Sequence, residues 1–322
     1  MNKLGRESVN RGVQMKGSAI SPGTCGELVQ GTLDNINFHI TCPVNCFTKI
    51  TVEIMNDNQE FIYINEPKRK KVLQAVLKTM VYLTGKKYSA LVTVNSQLPV
   101  SKGMASSTAD ISAACLATAR ALNCEISPHE VGKIALSIEP SDGLFFPGIV
   151  AFDHVKGNYY QDIGVAIDID LLVYDFGGEI DTIVFNQRPD LHEKNYINEP
   201  EIKKALNLVE KGIKTNNPHL VAQGASISAL ANQNIIYKPQ LKEIIELIQK
   251  AGAYGINTAH SGTLIGILLN KAKTDSEKLV HMLKEQYPHL SFFGFYKLIN
   301  GGVTIPTEED FYCSRLESMV VT

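Results

Sequence analysis

Residues 98–123 read LPVSKGMASSTADISAACLATARALN, a short Gly/Ser/Thr turn that runs directly into a helix of small residues. Pro99 ends the preceding strand, Gly103 allows a turn that other residues resist, and Ser106 or Ser107 falls where an N-cap is expected. From Asp110 onward, Ile111, Cys115, Thr118, Ala119 and Leu122 recur at helical spacing, and the small residues between them let the helix approach a neighbour closely. The first turn of a helix carries N–H groups without intrahelical acceptors and a partial positive charge. Lys102, Gly103 and the hydroxyls of Ser106, Ser107 and Thr108 therefore make a candidate polyphosphate cradle. It is not a Walker A loop, because that motif needs its lysine after the second glycine and Lys102 precedes Gly103. An ordinary capped core helix would use the same residues, so this stretch alone leaves both readings open.

Three further strings carry candidate chemistry. Residues 18–31, SAISPGTCGELVQG, place Pro22-Gly23 and Gly26-Glu27 in an expected turn before the apolar Leu28-Val29. Ser127 with Glu130 forms a capping-box pattern, followed by a helix through Ile138 that ends at Glu139-Pro140-Ser141-Asp142-Gly143. Two carboxylates three residues apart at a proline-broken helix end could meet a metal-nucleotide held by the 98–123 stretch, and Asp142 in an S-D-G sequence could equally be a plain turn residue. Residues 252–263, GAYGINTAHSGT, form another glycine-containing loop ahead of the apolar Leu264–Leu269. His260 in it suits either substrate contact or local structure.

Pro99-x-x-x-Gly103-x-x-Ser106-Ser107-x-Ala109 resembles the second motif of the GHMP kinases, usually P-x-G-x-G-L-G-S-S-A-A, with Ser101 and Ala105 in place of two glycines. Ser21-Pro22-Gly23-x-x-Gly26-Glu27 resembles the family's first motif, and AHSGT at 259–263 its last, with His260 and Ser261 replacing glycines. PGTCGELVQG and AHSGT are most similar to the branch that phosphorylates L-threonine for cobalamin synthesis. The resemblance implies an α+β, two-domain fold with ATP in a cleft between domains 1–165 and 166–322, and Mg²⁺ as the accompanying ion. It implies a nucleotide site at Pro99, Lys102, Gly103, Met104, Ala105, Ser106, Ser107 and Thr108, with Ser106, Ser107 and Glu139 toward the metal. It implies substrate contacts from Pro22, Gly23, Thr24, Cys25, Gly26 and Glu27 together with His260, Ser261, Gly262 and Thr263. Asp142 would act as the base and Lys102 would hold the transferred group. The acceptor would be L-threonine or a similar hydroxy amino acid. Homoserine kinase and a family-fold protein that binds a ligand or partner without turnover stay open as alternatives.

The rest of the chain bounds these readings. Its 322 residues, 44% hydrophobic and 20% charged, are ample for a core, and a formal charge of −2 argues against a nucleic-acid surface or a polybasic membrane patch. Small-molecule partners are expected, with a homodimer possible. The six cysteines, at 25, 42, 46, 115, 124 and 313, include no CxxC and fit reduced thiols better than a zinc site. With no apolar leader and no run long enough to cross a bilayer, a cytoplasmic protein is expected. Residues 1–17 read as a loose tail or an edge strand, and the basic run 68–71 as a solvated helix start. His154, beside Asp153 at a strand end, reads as a satisfied surface group. The apolar strand 167–176 is expected to open the second domain, with helices near 201–215, 218–232, 239–251 and 276–286.

Overall fold

Alternating apolar and polar residues over 37–54 specify a long strand, and it sets the frame of the molecule. The structure, a computed structural model, describes residues 15–55, 60–100, 102–178, 185 and 188–307. The expectation for residues 1–14, and Ser101 and Cys313, lie outside the described residues. Strand β1 (Met15–Leu33) pairs antiparallel with β2 (Ile36–Ile54) through the two-residue turn Asp34-Asn35. Both turn residues have positive φ, 50° and 62°, the tight hairpin geometry that Asp and Asn tolerate. The SPGTCGELVQG string, expected as a turn, lies inside β1. Its punctuation shows instead as register shifts at Pro22/Gly23, Thr24/Glu27 and Glu27/Val29, irregularities that re-aim side chains without ending the strand.

The chain continues through β3 (Ile62–Ile64), α1 (Lys70–Thr84), β4 (Ala90–Ser96), α2 (Ser106–Ala121) and α3 (Pro128–Leu136). The capping box expected at Ser127 and Glu130 is present at the start of α3. After β5 (Ile149–Phe152) and β6 (Tyr160–Gly164), the boundary read near residue 165 falls just ahead of β7 (Asp170–Asp175). Then come α4 (Leu191–Lys214), α5 (Pro218–Ala231), α6 (Leu241–Lys250), β8 (Gly255–Thr258), β9 (Leu264–Leu269), α7 (Ser276–Gln286) and β10 (Ser291–Lys297). The strands form one sheet in the order β10-β7-β9-β8-β1-β2-β4-β3, with β5 and β6 branching from β2.

Helix α4 begins at Leu191, ten residues ahead of the expected start, and contains Pro200. A proline at that position removes the bond to the Tyr196 carbonyl. Tyr196 is exposed, so water can take the bond's place, while Asn198 ties the early turns inward by donating to the Ala231 carbonyl at 2.8 Å.

Three apolar clusters hold the layers. One joins α1, α2 and α3 to β1, β2 and β4 through residues such as Val76, Met80, Ile111, Cys115 and Val92. A second runs from Leu28 and Ile40 to Leu171, Val173, Ala205 and Ala225, beneath α4 and α5. A third packs Ile244, Ile248 and Leu279 of α6 and α7 on Leu172, Tyr174 and Ile267. Strand β7 thus feeds alternate residues to two cores, the period-two signature of a sheet covered on both faces.

Small residues let α2 lie almost on the sheet. A Cβ built on Gly17 of β1 would stand 2.1 Å from the Ala117 carbonyl oxygen and 2.5 Å from the Ala121 nitrogen. Backbone cannot yield as a flexible side chain does, so Gly17→Ala is expected to destabilise the protein by about 3 kcal/mol, the upper end for overpacking. Urea denaturation checks this: a midpoint unchanged from wild type would mean that the helix shifts freely off the strand.

Candidate functional site

The start of α2 departs from the capping expected of Ser106 or Ser107. The N-cap is Ala105, left-handed at φ 50° and ψ 32°, and no side chain caps the helix. The serine hydroxyls are consequently available for other work, and Ser107 Oγ donates to the Glu139 carboxylate. The amides of Ser106, Ser107 and Thr108 open the helix, where no intrahelical acceptor exists for them, and the Ala105 carbonyl takes the first helical bond from the Ala109 N–H at 3.0 Å.

Three strings far apart in sequence meet at this point. The Thr24 N–H donates to the Met104 carbonyl at 3.0 Å, and Asn257 Nδ2 donates to the Cys25 carbonyl at 2.5 Å. Gly103, at φ 91°, lies so close to the last loop that an added Cβ would stand 2.6 Å from the Ala259 Cβ, and one on Gly262 would stand 2.6 Å from the Gly103 Cα. Gly26, at φ 58°, meets the Thr258 carbonyl carbon at 2.5 Å in the same sense.

Together they enclose a cleft of about 170 Å³. Of the residues expected at the site, Thr24, Glu27, Gly103, Met104, Ala105, Ser106, Ser107, Thr108, Glu139, Asp142, His260 and Ser261 line it. Pro22, Gly23, Cys25, Gly26, Pro99 and Lys102 are not part of that lining, and Gly262 and Thr263 line a separate pocket with Phe176, Gly177 and Lys238. Lys102 faces elsewhere: its ammonium lies 2.9 Å from Asp175 Oδ2 and donates to the Gly178 carbonyl at 3.2 Å. Cys25 is fully buried in the core, where burial pushes its thiol far above the ordinary range. Among the described residues none of the five cysteines is in a disulfide.

At one end of the cleft, Lys71 of α1 pairs with Glu139, and Arg69 pairs with Asp110 of α2, which also accepts from Thr48 Oγ1 at 2.7 Å. The basic run at 68–71 is therefore more than a solvated helix start: Arg69 and Lys71 are half-buried, Arg69 tying the start of α1 to α2 and Lys71 tying it to Glu139 after α3. Asp142 follows α3 and is fixed from two sides. Its N–H donates to Thr108 Oγ1 at 3.3 Å, and its Oδ1 lies 3.2 Å from His39 Nδ1.

The other end holds residues that sequence reading missed or misplaced. His154 is buried, not a surface group, because the Ser141 N–H bonds the His154 carbonyl at 2.9 Å and draws the strand end under the 139–142 turn. Its ring stacks on His39 with centroids 3.7 Å apart and planes at 10°. The His260 ring lies 4.2 Å from that of His39. His39 carries no signal in its strand, since Phe38, His39 and Ile40 are all buried and the alternation fails there. Burial, reinforced by His39, holds His154 and His260 well below the usual imidazole range, so both are neutral at pH 7. Burial, reinforced by the Asp142 charge, pushes Glu27 well above the usual carboxylate range.

Comparison with known proteins gives the arrangement a family context. Residues 70–146 match the model of the GHMP kinases N terminal domain, and residues 205–289 match that of the GHMP kinases C terminal region. An L-threonine kinase from Salmonella typhimurium (strain LT2) is 31% identical over 287 residues, 88% of this chain and 94% of its own length. An L-threonine kinase from Citrobacter freundii is 27% identical over 88% of this chain and 98% of its own. A homoserine kinase structure from Cytophaga hutchinsonii shares the fold with a TM-score of 0.68 at 14% identity, covering 94% of this chain and all of that one. Among the described residues, no helix is long and apolar enough to cross a membrane.

The raised Glu27 has a consequence for stability. Above the ordinary glutamate value of about 4.3, and up to its own raised value, folded Glu27 keeps a proton that the unfolded chain has released. Its contribution is whole below about pH 4 and declines as pH rises, because the folded state then binds more protons. In ligand-free protein, Glu27→Gln is expected to gain stability relative to wild type between pH 4 and pH 8, read as urea midpoints. An equal gap at the two pH values would mean that Glu27 ionises as an exposed carboxylate does.

Proposed function

This chain belongs to the GHMP kinase family and is a phosphotransferase acting on an alcohol group, and from that premise we propose that it phosphorylates the side-chain hydroxyl of L-threonine to give L-threonine O-3-phosphate. The observation that carries the reading is that one cleft holds an anion cradle at the α2 N-terminus and a separately anchored carboxylate, Asp142. Similarity to L-threonine kinases over 88% of the chain supports the acceptor. If the chain divides near residue 165, the cradle falls in the first part and the 259–263 loop in the second, and the cleft would lie between them.

The residues present fit a metal-nucleotide. The first-turn amides of α2 lack intrahelical acceptors, and Glu139 beside them already draws one cation, Lys71. Glu139, Ser107 and Ser106 would hold Mg²⁺, and the backbone at 103–108 would hold the phosphates. When bound, Mg-ATP supplies the phosphoryl group and the charge that neutralises it as it moves. The protein's own part is alignment and proton handling. The α2 amides hold negative charge where it develops, at no reorganisation cost, since the helix is already built. Asp142, held by Thr108 and His39, is positioned to take the proton of the acceptor hydroxyl. Lys102, committed to Asp175, fixes the loop from behind. The glycine contacts at 103 and 262 leave no side chain between the loops to crowd the transferred group. The resemblance of PGTCGELVQG and AHSGT to the cobalamin-serving branch favours a product that supplies the aminopropanol phosphate linker of cobalamin, made in the cytoplasm.

The test is ADP release from Mg-ATP with L-threonine, L-homoserine, L-serine or no acceptor. L-Threonine is expected to give the highest kcat/KM, and Asp142→Asn to lower kcat by about 10²–10⁴-fold with little change in the KM for ATP. Faster turnover of L-homoserine would overturn the acceptor assignment. Full activity in Asp142→Asn would remove the base.

A further inference from the structure

The lining of the cleft holds several buried polar atoms that have no hydrogen-bond partner. His39 Nε2, His154 Nδ1, Glu27 Oε2 and Thr24 Oγ1 are sealed from water and have no partner within the protein. Neighbouring bonds fix two of the tautomers. His39 Nδ1 lies 3.2 Å from the Asp142 carboxylate, so in the neutral ring Nδ1 carries the proton and Nε2 keeps the lone pair. Gln30 Nε2 donates to the Thr258 carbonyl at 3.0 Å, which makes its Oε1 the acceptor for His260 Nδ1–H at 2.9 Å. His260 Nε2 is therefore a lone pair as well. The His39 and His260 imidazoles are each oriented by a second group.

Two kinds of cation could satisfy such a set, and ring geometry separates them. Ligand atoms of His39, His154 and His260 all lie within 4.8 Å of one another, as do those of Glu27, His39 and Asp142. A transition metal needs each lone pair in its ring plane and aimed at one point about 2.0–2.1 Å away. The His39 and His154 rings are parallel, 3.7 Å apart, so their in-plane lone pairs cannot converge at that range. An ammonium group is less exacting: it offers three N–H donors, each reaching about 2.9 Å.

Resting on the threonine kinase reading above, we propose that His39, His154 and His260, with Glu27, form the subsite for the α-ammonium group of an amino-acid acceptor. The subsite determines specificity, because it rejects hydroxy acids that offer no donor to its buried acceptors. Burial keeps His154 and His260 neutral, so they do not repel a cation. An ammonium in place would favour the ionised form of Glu27 that burial and the Asp142 charge disfavour. Asp142 lines the same cleft beside His39, so an amino acid seated by its ammonium brings its side-chain hydroxyl toward the base.

The experiment compares kcat/KM for L-threonine with that for (R)-3-hydroxybutyrate, its analogue without the amino group, in the full-length protein and in His154→Phe, His260→Phe and His260→Gln. Wild type is expected to favour threonine by at least about 100-fold, as sites built around a substrate N–H do. Each phenylalanine variant keeps an aromatic ring but loses a ring acceptor. It is expected to lose at least about tenfold of that preference through the KM for threonine, with the KM for ATP unchanged, while His260→Gln, which keeps an acceptor, recovers part of it. Preference unchanged in both phenylalanine variants would overturn the subsite. Stoichiometric Co²⁺ binding with a visible band abolished by His154→Phe would overturn it in favour of a metal. If wild type turns over no threonine, calorimetry with L-threonine, L-homoserine and L-serine against their deamino analogues decides. Binding of any amino acid but not its analogue, weakened in His154→Phe, would sustain the subsite while the threonine reading fell, and equal binding of both forms would sink it.

Discussion

The site exists because three backbone segments touch without side chains between them. Gly103 meets Ala259 and Gly262, Gly26 meets Thr258, and the Thr24 amide is bonded to the Met104 carbonyl. None of these contacts is local in sequence, and each fails if a Cβ or a displaced peptide intervenes. Everything else about the cleft follows from that closure. It brings the bulged part of β1, the turn before α2 and the turn after β8 to one point, and it leaves the α2 N-terminus facing the Glu139 and Asp142 side chains rather than solvent. The sheet contributes to the same end, since β1 meets β8 at Glu27 and Thr258, beside the loops.

Ala105 shows how far the closure dictates local conformation. A left-handed backbone costs a residue with a Cβ roughly 1–2 kcal/mol, and the related motif places glycine there. The chain keeps the conformation at φ 50° with alanine, so the surrounding contacts outweigh the local cost. Gly103, at φ 91°, stays glycine for a second reason: space, not torsion alone, since Ala259 occupies the position a Cβ would need.

Much of the fold was legible in the sequence, for reasons that differ by element. The helix at 276–286 and the capping box at Ser127 announce themselves through local chemistry and are found as read. The bulges in β1 were misread as a turn because Pro-Gly and Gly-Glu punctuate both kinds of structure, and only the pairing with β2 separates them. The early turns of α4 were missed because 191–199 are largely polar and their order comes from tertiary bonds such as Asn198 to Ala231. Ser106, Ser107 and Glu139 stand in two contiguous strings, and the structure brings those strings together at the cleft. Lys102 was placed by its position beside Gly103, whereas its reach of several bonds lets Asp175 claim the ammonium. His39 and His154 come from two different strands' ends, and no one-dimensional pattern links them. Their relation to His260 appears only when β2 and the 259–263 loop are brought together.

The cleft is electrically asymmetric, and the asymmetry tells which end takes what. Three cations beside it are committed elsewhere: Lys71 to Glu139, Arg69 to Asp110, Lys102 to Asp175. Free attraction for an anion therefore resides in backbone, at the first turn of α2, where fixed N–H groups hold charge without the entropy cost of a long side chain. At the opposite end the unsatisfied groups are acceptors, each a burden of about 1–3 kcal/mol while unpaired. A fold gains nothing by keeping several such atoms together unless something with donors enters. On the proposed reading, the nucleotide phosphates meet the first demand and an acceptor that carries an ammonium group beside its hydroxyl meets the second. A sugar or a simple hydroxy acid leaves the buried imidazoles and Glu27 unpaired. Discrimination then comes from the cost of the wrong ligand as much as from attraction for the right one.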